Sequence, residues 1–325
     1  MPRPGLTAPD TAGVTTTAET GAEGRRRSAR RRRRGERAVW TLAAPFLAPA
    51  LVFYVLFLLV PLVGTVVLAF TSWDGYSFSD IRFNGVDNFK RMADDDVFVQ
   101  SLLHNLYFLV GAVVLKVLVA LVVALMLDRR LRFSNFFQGV YIMPAVLSLV
   151  VVGVVFSFAL SPTLGIINPF LEAVGLGRFA GSWLGDQHKV LPILILVDVW
   201  TAFGLYMILF VARLAAIPQD LRDAAQVDGA SWWQETWLVI IPLLRTTTVM
   251  IALLAMIDSL KVFSTIFTMT RGGPNHGSEV LSTWGYFQAF TANQVGYGSA
   301  ILVVLLLITL VLSYVQVTRF RAADD

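Results

Sequence analysis

The sequence predicts an all-α polytopic membrane protein with six transmembrane helices. Of its 325 residues, 56% are hydrophobic and only 15% are charged, which is far more apolar than an average soluble protein. The apolar residues form long blocks, each able to hold about 20 helical residues, the length that crosses a bilayer. The blocks are uniformly apolar and do not alternate, which favours helices over a β-barrel. They cover roughly residues 42–70, 102–127, 138–160, 190–212, 243–268 and 298–318.

The N-terminal region differs in composition from the rest of the chain. Nine of the thirteen residues from Arg25 to Arg37 are arginine, and the residues before them are rich in Thr, Ala, Gly and Pro without apolar periodicity. We therefore expect residues 1–37 to form a disordered cytoplasmic tail whose arginines lie at an anionic lipid surface, with nucleic-acid binding as the alternative. The first apolar block is longer than the core of a secretory signal, so it should remain as a membrane anchor.

Lysine and arginine are distributed unevenly between alternate ends of the apolar blocks. The basic tail and the loop with Arg129, Arg130 and Arg132 would share one side of the membrane. Positively charged loops favour the cytoplasmic side, and the first helix has the greatest weight. We therefore predict that both termini are cytoplasmic and that residues 319–325 form a short cytoplasmic tail.

Sequence motifs for enzymatic chemistry are absent. The chain has no cysteine and only three histidines, far apart in sequence, so the composition predicts no thiolate chemistry and no metal site. None of the four lysines completes a phosphate-binding loop, and neither an H-E-x-x-H nor a G-x-S-x-G motif occurs. We expect a protein that is not an enzyme and has no nucleotide site or cofactor of its own.

The connection between the fourth and fifth blocks is long for a loop between two spans. Asp220 and Asp223 have the spacing of a helix capping box, and Gly229 permits a sharp bend. Three alanines around that bend would let another surface approach the backbone closely, whereas an interfacial helix that merely joins two spans is the simpler interpretation. The alanines are Ala224, Ala225 and Ala230.

This connection resembles the EAA loop of permease subunits of binding-protein-dependent ABC importers. The resemblance lies in Asp223-Ala-Ala-Gln-Val-Asp-Gly-Ala230 and in the Val-Ile-Ile-Pro sequence that ends at Pro242. On that pattern the coupling residues are Asp223, Ala224, Ala225, Asp228, Gly229, Ala230 and Pro242. Residue 223 is Asp where the family usually has Glu. Further stretches resemble the family's sugar-importing branch, namely 83–89, 194–200, 260–263 and the Gly-Gly-Pro stretch at 271–281.

The resemblance implies a fold, a mechanism and a set of partners. Residues 38–318 would form a six-helix permease domain of the MetI-like fold, with an EAA coupling loop at about 213–242. The chain would be the first of two paired permeases of the maltose and glycerol-phosphate-like kind, in the inner membrane. Its partners would be a second permease, two ATPase subunits that bind the ATP, an extracytoplasmic sugar-binding protein and a sugar or oligosaccharide.

Four charged residues fall inside predicted spans, where charge is costly and often functional. They are Lys116, Asp198, Asp258 and Lys261. At least one acid should pair with Lys116, and Asp258 and Lys261 could neutralise each other because they are three residues apart on a helix. The resemblance also places a candidate substrate path on the spans that flank the EAA loop. Its residues are Ala202, Leu205, Asp258, Ser259 and Val262.

Two other classes of function remain open. The charges Lys116, Asp198 and Asp258 could form an ion or proton relay in a secondary transporter or channel, although the sequence contains no apparent inverted repeat. A membrane anchor or assembly protein would fit the arginine-rich tail but would leave the EAA resemblance unexplained. Transport experiments separate these classes. The importer requires ATP, the secondary transporter requires an ion gradient, and an anchor transports with neither.

Overall fold

The computed structural model describes residues 45–128 and 133–324, and this part of the chain is almost entirely helical. Within these residues the only β pairing is an isolated bridge between Thr71 and Phe83, so the predicted all-α class is confirmed. The arginine-rich tail lies outside the described residues. The helices are α1 (Pro45–Leu68), α2 (Asp87–Arg91), α3 (Asp96–Asp128), α4 (Ser134–Val146), α5 (Leu149–Ala159), α6 (Ile167–Ala173), α7 (Val190–Ala215), α8 (Gln219–Val227), α9 (Trp232–Leu243), α10 (Arg245–Leu260), α11 (Ser264–Met269), α12 (Leu281–Tyr286) and α13 (Val295–Asp324).

Four of the described helices, α1, α3, α7 and α13, are long and apolar enough to cross a membrane. Two bent pairs bring the number of candidate spans to six if each pair is one span. The pair α4 and α5 is bent by 95°, and the pair α9 and α10 by 65°. The predicted six spans match this upper count.

The expectation of a continuous helix in the third and fifth apolar blocks is wrong. The third block breaks at Leu147, whose ψ of 148° is extended, shortly after Pro144. The fifth ends at Leu260, and the chain turns before α11 begins. Apolar length predicts that a segment is buried in lipid or protein, but it carries no information on where the backbone changes direction.

The last helix extends beyond the candidate span that it contains. The span ends at Thr318, as the sequence predicted, and α13 continues to Asp324 through most of the predicted 319–325 tail. No glycine or proline occurs between residues 299 and 325, so the sequence contains no strong stop signal there.

The core of the compact unit that begins at Thr65 is the packing of α3 against α7. One face of α3 is fully buried at every fourth residue, which brings successive side chains onto one stripe. Three of its five residues are alanines, so the neighbouring backbone can approach closely. The stripe consists of Phe108, Ala112, Lys116, Ala120 and Ala124. A single charged residue therefore lies in the middle of this fully buried stripe of α3.

Hydrogen bonds to Asp95 fix the N-terminal end of α3. Its carboxylate accepts bonds from Trp284 Nε1 (3.1 Å) and the Tyr297 hydroxyl (2.6 Å), and from the backbone amides of Val97 and Phe98. Burial raises the pKa of this carboxyl, but the hydrogen bonds, that from Tyr297 foremost, outweigh burial and hold the pKa of Asp95 below its usual value. The carboxylate thus ties the start of α3 to α12 and α13.

Close packing of α4 on α7 depends on Gly204. A Cβ atom at this position would overlap the backbone carbonyl of Tyr141, whereas a Cβ at Gly139 on α4 meets nothing within 4 Å. We expect Gly204→Ala to lower stability by about 1 to 3 kcal/mol through overpacking. Gly139→Ala, the matched control, should be neutral or stabilising because alanine favours helix. Thermal melting of the protein in detergent measures both, and equal melting temperatures for the two variants would contradict the prediction.

Candidate functional site

Lys116 lies at the centre of a buried ion cluster. Its Nζ atom is 2.8 Å from Oδ2 of Asp198 and 2.7 Å from Oδ2 of Asp258, and it donates a 3.2 Å hydrogen bond to Oγ of Ser259. The ammonium group donates hydrogen bonds to Asp258 and Ser259, and its contact with Asp198 is an ion pair. The lysine side chain is fully buried. The prediction that at least one acid pairs with Lys116 is confirmed, and both acids do so.

The predicted pairing of Asp258 with Lys261 is wrong. Helix α10 ends at Leu260, so Lys261 is the first residue beyond the helix and is exposed. It no longer occupies the i+3 position of a continuous helical face. The carboxylate of Asp258 instead contacts Lys116 on α3.

A cavity of about 510 Å³ opens beside the ion cluster. Helix α7 contributes Asp198, Ala202 and Leu205, which follow one another at roughly one-turn spacing. Leu147, at the break between α4 and α5, lies on another wall, and α10 contributes Asp258. The volume falls within the usual range for small-ligand sites.

Three of the five predicted path residues line this cavity, namely Ala202, Leu205 and Asp258. The other two do not. Ser259 is fully buried against Lys116, and Val262 is buried in the core, where its carbonyl accepts a hydrogen bond from Ser282. The cavity also contains Thr201 and Tyr206, which the sequence analysis missed. Both lie three or four residues from predicted path residues, so helical spacing along α7 could have found them.

The 213–242 segment folds as two helices joined by a bend. Helix α8 is mostly exposed and ends before Gly229, whose φ of 81° lies in the left-handed region that glycine adopts without steric cost. The predicted bend at Gly229 is therefore present. Around it, Ala224 and Asp228 are exposed, whereas Ala225 and Ala230 are half-buried.

The predicted capping box of Asp220 and Asp223 is wrong. Helix α8 begins at Gln219, so Asp220 already lies in its first turn and cannot be the N-cap. The Asp223 Oδ1 atom instead accepts a 3.0 Å hydrogen bond from Gln219 Nε2. A true capping box occurs at the start of α9, where Ser231 Oγ accepts from the backbone amide of Gln234 and Gln234 Oε1 accepts from that of Ser231.

Pro242 directly precedes the fifth predicted apolar block, 243–268, in the sequence. It lies in the last turn of α9, and the chain breaks at Leu244 before α10 starts at Arg245. A π-helical turn, Thr236–Ile240, precedes the proline. That turn already interrupts the regular hydrogen-bond pattern that a proline would disturb.

An ion pair between Arg222 and Asp128 joins α8 to the end of α3. Arg222 donates from NH1 to Oδ2 of Asp128 (2.6 Å) and from NH2 to Oδ1 (3.4 Å). Its NH2 group also donates to the carbonyl of Leu214 in α7 at 3.4 Å. Both side chains are largely buried, at 14% and 22% exposure. The two residues are far apart in sequence, so no local pattern predicted the pair.

A cleft of about 590 Å³ lies beside this ion pair. Helix α8 contributes Gln219, Arg222 and Asp223 to the lining, and α9 contributes Trp232 and Glu235. The bend at Gly229 therefore encloses a surface cleft whose wall includes the carboxylate of Asp223.

We expect Arg222→Ala to loosen α8. A bidentate hydrogen bond between charged groups stabilises by about 1.5 to 3 kcal/mol, so backbone amides of α8 should exchange hydrogen roughly 10 to 100 times faster. Arg222→Lys keeps the charge but loses the planar guanidinium group. Its α8 amides should exchange at a rate between those of the parent and of Arg222→Ala. Arg213→Ala, an exposed arginine at the end of α7, is the control. Unchanged exchange in α8 of Arg222→Ala would contradict a positioning role.

Helices long enough to span a membrane, with a cavity that two aspartates of α7 and α10 line, are typical of the class of membrane transport proteins. The chain belongs to a particular family within it, the binding-protein-dependent transport system inner membrane component, whose model matches residues 116–320. The predicted permease resemblance is confirmed.

Two curated relatives have high similarity over most of the chain. The probable ABC transporter permease protein YurN of Bacillus subtilis is 34% identical over 282 residues, which cover 86% of this chain and 96% of the relative. The diacetylchitobiose uptake system permease protein NgcF of Streptomyces coelicolor is 31% identical over 317 residues, covering 93% and 89%. Both are transport permeases, consistent with a subunit that is not an enzyme.

The fold is also similar to that of a solved importer. A chain of a bacterial alginate ABC transporter, crystallised with its oligosaccharide-bound periplasmic protein, superposes with a TM-score of 0.75. The match covers 87% of this chain and 94% of the other at 22% identity. It supports the MetI-like permease fold.

Proposed function

We propose that this chain is the transmembrane permease subunit of an ATP-driven importer for a sugar or oligosaccharide. The observation that carries the proposal is its similarity, over nearly its whole length, to a permease named for a disaccharide. The permeases of the multiple-sugar system of Streptococcus mutans and of the lactose system of Rhizobium radiobacter, 29% identical over 86% of this chain, support the same substrate class. The chain would form half of the translocation path.

In this proposal the 213–242 segment couples the chain to a separate ATPase. Helix α8 and the bend at Gly229 are exposed, and the cleft between α8 and α9 contains a carboxylate, Asp223. A basic side chain of the ATPase would form a charge-assisted hydrogen bond with Asp223. Nucleotide would bind to two ATPase subunits and not to this chain, which would need no cofactor of its own.

The remaining partners are a second permease and an extracytoplasmic binding protein that delivers the substrate. Both termini of this chain would be cytoplasmic. Saccharide would pass the cavity beside the ion cluster, where Ala202 and Leu205 would contact ring faces and the carboxylate of Asp258 would accept hydrogen bonds from hydroxyl groups.

Vesicle uptake tests the proposal. The complete importer, with ATP inside and the loaded binding protein outside, should accumulate one or more members of a saccharide panel, whereas the chain reconstituted alone should neither bind ATP nor transport. Uptake driven by an ion gradient without ATPase subunits would contradict it and would favour a relay through Lys116, Asp198 and Asp258. Those three charges form one mutually paired cluster, which gives such a relay little support.

A further inference from the structure

The ion cluster presents unequal charges to the cavity. One lysine and two aspartates leave a net charge of −1, and their exposure differs sharply. The Lys116 side chain is 0% exposed, that of Asp198 is 12% exposed, and that of Asp258 is 56% exposed. The ammonium group of Lys116 is therefore buried behind the cavity wall, whereas the carboxylate of Asp258 is exposed to the cavity.

The carboxylate of Asp258 has unused capacity to accept hydrogen bonds. Among the described residues, its recorded side-chain hydrogen bond is the one from Lys116 Nζ to Oδ2. An ionised carboxylate can accept at both oxygens and cannot donate. The Oδ1 atom is thus available for a donor group of a bound molecule.

The other charged residue that lines the described cavity is also an acid, Asp198, and no basic side chain is part of that lining. The lining adds the hydroxyls of Thr201, which donates to the carbonyl of Val197, and Tyr206. The remaining wall is apolar. A carboxylate on a ligand would lie near two like charges, of which Lys116 offsets only one, so the cluster would repel it.

We propose that Asp258 makes this cavity selective for charge, so that it admits uncharged or amino-bearing saccharides and rejects saccharides that carry a carboxylate. The proposal rests on the sugar path proposed above and adds the substrate class to it. Hydroxyl and ammonium groups supply the hydrogen-bond donors that Asp258 requires, and an ammonium group also offsets the net charge of the cluster. A uronate keeps hydroxyl donors, but it has no ammonium group and adds a further negative charge.

Binding of three probes with the same ring size to the assembled transporter in lipid nanodiscs tests this, without binding protein or nucleotide. The probes are methyl glucoside, glucosamine and glucuronate, measured by calorimetry or saturation-transfer NMR. We expect glucosamine to bind at least as well as methyl glucoside and glucuronate to bind at least about tenfold more weakly, because like charges brought together at a binding site lower the affinity.

Two variants assign the effect to Asp258. Asp258→Asn should remove any preference for glucosamine over methyl glucoside and raise the affinity for glucuronate by about tenfold, while Lys116 keeps Asp198 as its partner. Asp258→Glu keeps the charge and should keep the parent order of the three probes. Asp220→Asn, an exposed acid on α8, serves as the control with the same chemical change.

Equal affinities for the three probes, an unchanged order in Asp258→Asn, or no binding of any probe would overturn the charge selection. The importer itself is tested separately by ATP-driven uptake. If uptake fails but the order of the probe affinities is as expected, the proposed importer function is wrong and the charge selectivity of the cavity stands. If uptake occurs but the three probes bind equally, the importer function stands and the charge selectivity is wrong.

Discussion

Lys116→Met is expected to lower the stability of the folded protein by about 3 to 5 kcal/mol, because it removes the cation between two carboxylates and leaves their charges uncompensated. The lysine is fully buried on the face of α3 that packs against α7. Its loss should decrease the melting temperature in detergent and the fraction of protein that elutes as a monodisperse species. Lys261→Met, which removes an exposed charge, is the matched control.

The two acids should differ in their ability to compensate for Lys116→Met. Asp198 is the more deeply buried, so Asp198→Asn should recover more stability in that background than Asp258→Asn. The carboxylate of Asp258 is partly hydrated and tolerates the loss of its partner better. Additive losses in both double variants would exclude a shared ion cluster as the source of stability.

Asp223→Arg should abolish ATP-driven uptake while leaving membrane insertion and binding of the second permease intact. Asp223 is exposed and lines the cleft beside Arg222, and its side chain does not cap α8. Helix capping therefore contributes little to the expected loss. Replacement of a paired carboxylate by a like charge at an interface costs at least about 2 kcal/mol, so uptake should fall at least about 30-fold.

Three further substitutions separate coupling from local helix stability. Asp223→Glu keeps the charge and should transport at least as well as the parent, whereas Asp223→Asn should be weakened. Asp220→Arg makes the same charge change in the first turn of α8 but outside the cleft lining, so it should retain most activity. Equal uptake by Asp223→Arg and Asp223→Asn, with ATP hydrolysis still stimulated by substrate, would leave Asp223 without a coupling role.

The sequence predicted the helical class and the number of candidate spans, because apolar length is a property of each segment alone. It did not predict the breaks at Leu147 and Leu260, because apolar length does not indicate where the backbone changes direction. The pairing of Asp258 with Lys261 assumed a continuous helix, and the prediction failed where that helix ends. The prediction that an acid pairs with Lys116 rested only on the free-energy cost of an unpaired charge inside a span, and that cost applies in any fold.

In the 213–242 segment, too, the sequence predicted a local feature but not a long-range contact. The bend at Gly229 follows from the conformational freedom of one residue, and the sequence predicted it. The capping pattern is also local, but Ser231 and Gln234 form it, and their Ser-x-x-Gln spacing was a signal in the sequence. The Arg222 to Asp128 ion pair joins residues from two distant segments, and only the folded chain reveals it.

Helix α3 carries both ion pairs, Lys116 beside the cavity and Asp128 beside α8. They are separated by about 18 Å along one uninterrupted helix, at about 1.5 Å per residue. If an ATPase that docks on α8 shifts α3 and so moves Lys116 relative to Asp198 and Asp258, the affinity of the cavity for its ligand changes. Thermodynamic reciprocity then requires the ligand to change the affinity for the ATPase by the same factor. Ligand binding in the cavity would in this way affect ATPase binding at α8 through the rigid helix α3, which connects the two ion pairs.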